Sequence, residues 1–251
     1  VIQPRTYEIP KTKTRVQNPI NWASSLKGTL ETKYDLRSAI PENLTIRNQQ
    51  QTNSCWTFAV MSSLETNLAL YNHKNNLSTK TYNFSERHMV YATNRVFANN
   101  EINEYGFNKG ASDGGNYYLA SAYLTNGQGA IEESQMPFEN DESLIELSQI
   151  QNKNVVTQLY DTIEFPSYNI SEDTTEIKRQ IKEHILKYGS VYASIHGAQI
   201  LSDYYNASTG ALYCDNTTNC PTNHAVSIVG WDDNYSTSNF NASHRPQNNG
   251  A

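Results

Sequence analysis

The chain reads as an α+β protein, helices first and strands later, in two lobes with a cleft between them. Two observations carry this. Apolar residues recur at the helical period through the first half, and β-rich segments occupy the second half. A third bounds it: 251 residues make one large domain or two small ones, and 11% aromatic content can build a core despite a mean hydropathy of −0.68.

The elements follow in order. Residues 1 to about 33 carry Pro4, Pro10 and Pro19 with little periodicity. They read as an N-terminal extension, pro-segment or strap, helical at most near Trp22 to Leu26, ahead of a domain spanning 34–251. From Cys55 to about Asn72, the residues Phe58, Met61, Leu64, Leu68 and Tyr71 follow the helical period, with Ser54 as N-cap. Ser85 and Glu86 open a second helix through Val96, and a third runs from Asn116 to Leu124, stopping at Asn126-Gly127. Asp173 with Glu176 forms a capping-box pattern ahead of Ile177, Ile181, Ile185 and Tyr188, and Gly189 ends that helix. Residues 190–195 alternate, 211–213 are short and apolar, and 224–231 read as one buried strand.

Charge excludes some functions. Nineteen Lys and Arg face 25 Asp and Glu, so no basic surplus exists to neutralise the phosphates of a nucleic acid. No apolar run reaches the roughly 20 residues of a membrane span. The chain opens Val1-Ile2-Gln3-Pro4, with neither Met nor an apolar leader, as expected where a signal peptide has been removed or was never included. Asn-x-Ser/Thr triplets at Asn76, Asn83 and Asn206 are expected by chance in so Asn-rich a chain and weakly support glycosylation.

Three cysteines focus the chemistry. Cys214 and Cys220 share a polar loop and read either as a local disulfide, which suits an exported protein, or as two free thiols. With His224 they imitate a zinc site but lack a fourth ligand, so neither metal nor cofactor is expected. Cys55 is the odd one out. At a helix start, unpaired N–H groups and the helix dipole favour the thiolate, hence a nucleophile; the alternative is a small residue packing the first turn. Gln49, six residues earlier, offers an amide donor that with the Cys55 N–H would make an oxyanion hole. His224 opens a strand, where it can face a cleft. His73, His88, His184, His196 and His244 read as surface or hydrogen-bonded core residues.

Gln49, Ser54-Cys55-Trp56, Phe58-Ala59, then Asp113-Gly114-Gly115, then Asn223-His224-Ala225-Val226 and Gly230-Trp231 resemble the papain-like cysteine peptidases, family C1, from about Tyr34 to Trp231. The Asp-Asp-Asn run after Trp231 and the lack of a long pro-domain are most similar to its bacterial, clostridial surface-associated members. The resemblance implies the two-lobed fold, with a helical N-terminal lobe and an antiparallel, barrel-like C-terminal lobe. It implies that Cys55 attacks the scissile carbonyl, His224 holds the thiolate as imidazolium, and Gln49 stabilises the oxyanion. It implies that Trp56 packs behind the nucleophile, Gly114 and Gly115 receive extended substrate, and Tyr117 and Ala225 lie near a specificity pocket. The expected protein is a monomeric, secreted or cell-surface endopeptidase acting on polypeptides, with its own N-terminal segment as a second occupant of the cleft.

Departures temper this. The positions of a family disulfide are Thr52 and Ser112, which leaves Cys55 unpaired. His224 follows Cys55 by 169 positions, against roughly 130–150 in the family, and the surplus is placed in loops 98–110 and 139–160. The family's orienting Asn lies in an Asn-Ser-Trp-Gly motif. This chain stops at Asn248-Asn249-Gly250-Ala251 without that context, so the domain is expected to lack its C-terminal end. Two alternatives stay open: a catalytically impaired papain-fold protein that binds peptides or surface partners, and an amidase or transglutaminase-like acyl transferase.

Overall fold

A computed structural model describes residues 29–40, 45–77, 80–165, 174–197, 204–214 and 222–251. Most of the N-terminal segment, Cys220 and Asp173 of the capping-box pattern fall outside them.

Strand β1 (Lys33–Asp35) leads into a single helical turn, α1 (Leu36–Ala39), capped by Asp35, whose carboxylate accepts from the Arg37 N–H. Then come α2 (Cys55–Lys74), α3 (Glu86–Ala92) and α4 (Tyr117–Thr125), joined by long irregular connections. Helix α5 (Thr175–Tyr188) precedes β2 (Val191–Ile195), β3 (Tyr205–Asn206), β4 (Ala211–Leu212), β5 (His224–Ile228) and β6 (Gly230–Asp232). The strands form three antiparallel pairs, β1 with β6, β2 with β5 and β3 with β4. Apart from β1, the helices precede the strands among the described residues, an α+β order.

Helix α2 is the spine, packed against α3, α4, α5, β2 and β5. Its first turns carry Trp56, Ala59 and Met61 into a core with Phe84, Met89, Tyr91, Phe97, Tyr123 and Ile131. Its last turns carry Ala69 and Leu70 into a second core with Leu36, Ile40, Ile185, Val191 and Trp231. Two cores on one helix are the physical content of the two lobes. A hydroxyl relay stitches them: the Thr66 Oγ1 accepts from the Ser190 N–H and pairs with the Ser190 hydroxyl, both at 2.9 Å, and the Ser227 hydroxyl donates to Ser190 at 2.8 Å.

Three expectations are corrected and one is refined. Of the α2 residues that follow the helical period, Met61 is buried, Leu64 and Leu68 pack partly buried against the core, Phe58 is half-buried, and Tyr71 is 61% exposed. The buried face is built from Trp56, Thr57, Ala59, Glu65, Thr66 and Ala69, because small residues and a paired carboxylate let neighbouring elements approach closely. Ser54 occupies the N-cap position, but its side chain makes no capping bond and pairs with the Thr52 hydroxyl instead. Helix α3 stops at Ala92, where Thr93 turns its hydroxyl back onto the Met89 and Val90 carbonyls. Segment 224–231 is two strands broken at Val229, whose carbonyl accepts from the Leu36 N–H at 2.9 Å.

Two of the glycosylation triplets are engaged in the fold. Asn83 accepts from Arg47 beside a buried Ser85, and Asn206 is bonded to Ser208 and Asn239. Ser78 of the third lies outside the described residues.

Candidate active site

Helix α2 delivers Cys55 at its first turn, with Thr57 and Phe58 donating back to the Ser54 carbonyl. Cys55 is half-buried and unpaired, whereas Cys214 is disulfide-bonded. Across from it, β5 begins at His224, opposite Ile195 of β2. A cleft of about 460 Å³ between the lobes is lined by Gln49, Cys55, Gly114, Gly115, His224 and Ala225, together with Asn53, Asp113, Tyr192, Ser194 and Asn223. The structure therefore gathers six of the eight site residues expected from sequence on one surface.

The other two stand behind it. Trp56 is 1% exposed in the helical core, and its ring is the floor under Gly115. A Cβ on Gly115 would lie 2.3 Å from that ring. The Gly114 φ of +72° is a conformation that side chains resist. We expect Gly115→Ala to cost about 1–3 kcal/mol of stability through overpacking, read from the urea midpoint. Gly110→Ala, whose Cβ would meet only an Asp113 oxygen at 3.7 Å, should cost under about 0.5 kcal/mol; equal costs would refute the close-approach argument. Tyr117 reaches the cleft indirectly, with its ring 5.8 Å from that of Tyr192 and its hydroxyl donating to Glu164 at 2.7 Å.

The electrostatics are set by burial. Burial pushes the His224 imidazole below its ordinary value. It pushes the Tyr192 phenol up, against a hydrogen bond to Ser194 and with a smaller rise from the neighbouring Cys55. The Gln49 Nε2 donates to the Thr52 carbonyl at 2.5 Å. That bond makes the nitrogen end of the amide the donor toward Thr52 and uses one of its two hydrogens. Asn249 accepts from the Thr237 N–H instead of orienting an imidazole.

Sequence reasoning missed Tyr192 and Ser194. Their signal was present: in an alternating strand, 192 and 194 share one face. Of the other histidines, His88 is a core residue, paired with the Tyr123 hydroxyl and the Ile150 carbonyl and pushed down to about 4 by burial. His244 stacks on Tyr204.

Comparisons agree with this geometry. Residues 30–243 match the Peptidase_C1 family, papain family cysteine protease. No curated protein matches the sequence. Among solved structures, the clostridial cysteine protease Cwp84 after propeptide cleavage is similar at 26% identity and TM-score 0.67, covering 88% of this chain and 49% of that one. The cysteine protease and lectin-like domains of Cwp84, a surface layer associated protein of Clostridium difficile, are similar at 27% identity and TM-score 0.65, covering 90% and 44%. Digestive procathepsin L 3 of Tenebrio molitor larval midgut shares the fold at 23% identity and TM-score 0.58, covering 83% and 58%. The chain thus spans about half the length of the clostridial proteins it matches. With the family match running across both lobes and the cleft, the chain belongs to the papain family of cysteine proteases.

Proposed function

We propose that the cleft hydrolyses peptide bonds of polypeptides through a Cys55–His224 pair, as an endopeptidase. The observation that carries this is the meeting of an unpaired thiol at a helix N-terminus with an imidazole across one cleft, beside an amide donor and two glycines. The Cys55 thiolate attacks the scissile carbonyl carbon, and the carbonyl π pair moves to oxygen. The Cys55 N–H and the free Gln49 N–H stabilise that oxyanion. As the tetrahedral species collapses, the C–N bond breaks and the His224 imidazolium gives its proton to the leaving amine. Water then attacks the thioester with His224 as base, releasing the acid and restoring the thiolate. Gly114 and Gly115 leave a backbone edge on which extended substrate can pair. Trp56 holds that edge from below, while Tyr117 and Ala225 border a specificity pocket.

The relatives inform the wider setting. A surface-layer-associated neighbour and proform neighbours support export to the cell surface and a zymogen whose residues upstream of Glu31 occupy the cleft until removed, since residues 31–33 belong to the folded domain.

The test is the rate of Cys55 alkylation by iodoacetamide from pH 4 to 9, read by peptide mass. A thiolate paired with imidazolium reacts fast at mildly acid pH, far below the ordinary thiol value of about 8.5. His224→Gln should move the profile up toward that value. A wild-type profile rising only near 8.5 would sink the assembled pair and favour a non-cleaving relative that binds peptides.

A further inference from the structure

The loop before the nucleophile and the loop bearing the glycines belong to different parts of the chain, yet substrate must meet both at once. Asn53 joins them. Its Nδ2 donates to the Ser112 carbonyl at 2.9 Å, two residues before Gly114. Asn53 is itself held by Glu142, whose Oε1 accepts from the Asn53 N–H at 2.5 Å while Oε2 lies 3.5 Å from Nδ2. Next to it, the Asn140 carboxamide accepts from the Gln51 N–H at 3.0 Å. Residues 139–145 therefore lie across the nucleophile loop like a splint. The splint is anchored to α3 through an Arg87–Glu139 ion pair and the Tyr91 hydroxyl, which donates to the Ser143 carbonyl at 2.8 Å. Its far end is fixed where the Ala98 N–H donates to the Ile145 carbonyl at 2.9 Å, with Ile145 in the helical core. Below the joint, the Lys109 ammonium stands 5.7 Å from the Trp56 ring centre, in the field of Asp113 and Glu142.

From this geometry we infer that Glu142 is a positioning residue: through Asn53 it locks the Gly114–Gly115 substrate edge to the loop that presents Cys55. It touches no reacting atom and acts only through Asn53. The bonds it makes are charge-assisted and directional, so they set the separation of the two loops. Losing them frees the glycine edge and leaves Cys55 on its helix and His224 on its strand. The cost therefore falls on substrate placement.

This inference rests on the proposed peptidase reading, and its test keeps the two apart. Glu142→Ala in the whole chain should raise KM for a peptide substrate by up to about tenfold with little change in kcat, since the loss falls on binding shared by ground and transition states and one hydrogen bond's worth is about tenfold at most. Glu142→Gln, which still accepts from the Asn53 N–H, should recover most of the loss. Adding Asn53→Ala to Glu142→Ala should cost little more, because both act through one joint. The Cys55 alkylation profile should stay as in the wild type. Hydrogen exchange reads the lock without any turnover: amides of the 110–116 peptide should exchange faster in Glu142→Ala. If wild type hydrolyses nothing, the peptidase reading falls and exchange alone decides the lock. Unchanged exchange over 110–116, additive effects of the two substitutions, or equal losses in the Ala and Gln variants would each overturn it.

Discussion

Cys55→Ala should lower kcat/KM for peptide hydrolysis by about 10⁴-fold or more, with a urea midpoint close to wild type. The split follows from where Cys55 lies. It is half-buried at the head of α2, and the turn is held by Thr57 and Phe58 donating to the Ser54 carbonyl, bonds that do not involve the sulfur. Folding loses one atom of packing, whereas the chemistry loses its nucleophile. Cys55→Ser should fare little better, since a hydroxyl near His224 lacks the thiol's acidity. Steady-state hydrolysis of a quenched peptide, with chemical unfolding alongside, makes the comparison. Activity within tenfold of wild type in the Ala variant would remove Cys55 from the reaction.

Arg47→Met should cost about 3–5 kcal/mol of stability at pH 8, the expected size for orphaning buried charges. Arg47 forms an ion pair with Glu65 and another with Glu86 at 2.5 Å, and it donates to the Asn83 side chain at 2.9 Å. Glu65 and Glu86 are 4% and 1% exposed, and Glu133 lies in the same field. One guanidinium therefore serves these carboxyls; among them Arg87, itself paired with Glu139, acts only on Glu133. Burial pushes Glu65 up to about 7 and Glu86 to about 8, against the pull of Arg47. The sign follows. Carboxyls raised from 4.5 on folding bind extra protons in the native state. Their contribution to stability is complete below 4.5 and is lost as pH rises through about 7 and about 8. Removing Arg47 raises both further, so the penalty should be largest in alkali and shrink toward pH 5. Arg47→Lys should fall between, keeping the charge but not the fork. Urea midpoints from pH 5 to 9 give the curve. A penalty under about 1 kcal/mol at pH 8, far below the scale for an unpaired buried charge, or one that grows toward acid, would contradict it.

The sequence announces helix α2 and its start, because periodicity and the Ser54-Cys55 boundary are local signals. It does not reveal the polar part of the buried face, because the Glu65–Arg47 pair comes from outside the helix and makes a polar position internal. The break at Val229 has a similar cause. The Tyr34 carbonyl approaches Gly230 so closely that a Cβ there would lie 2.2 Å away, and the partner strand is nearly 200 residues earlier. In the cleft, residues within short motifs (Gln49, Cys55, the glycine pair and His224) were legible. Asn53 and Glu142 were not, since their meaning lies in a contact across 89 positions.

The broken segment has a mechanical consequence. From His224 to Asp232 one stretch of chain serves two sheets, and its far end is gripped by the start of the domain: Lys33 opposite Asp232, the Thr32 carbonyl on the Asp233 N–H, and the Glu31 carbonyl on the Trp231 indole. The imidazole is thus moored, through the continuous backbone of β5 and β6, to residues 31–33. A scissor cut upstream of Glu31 leaves the mooring whole. A cut past Asp35 would release the rear of the strand that carries His224.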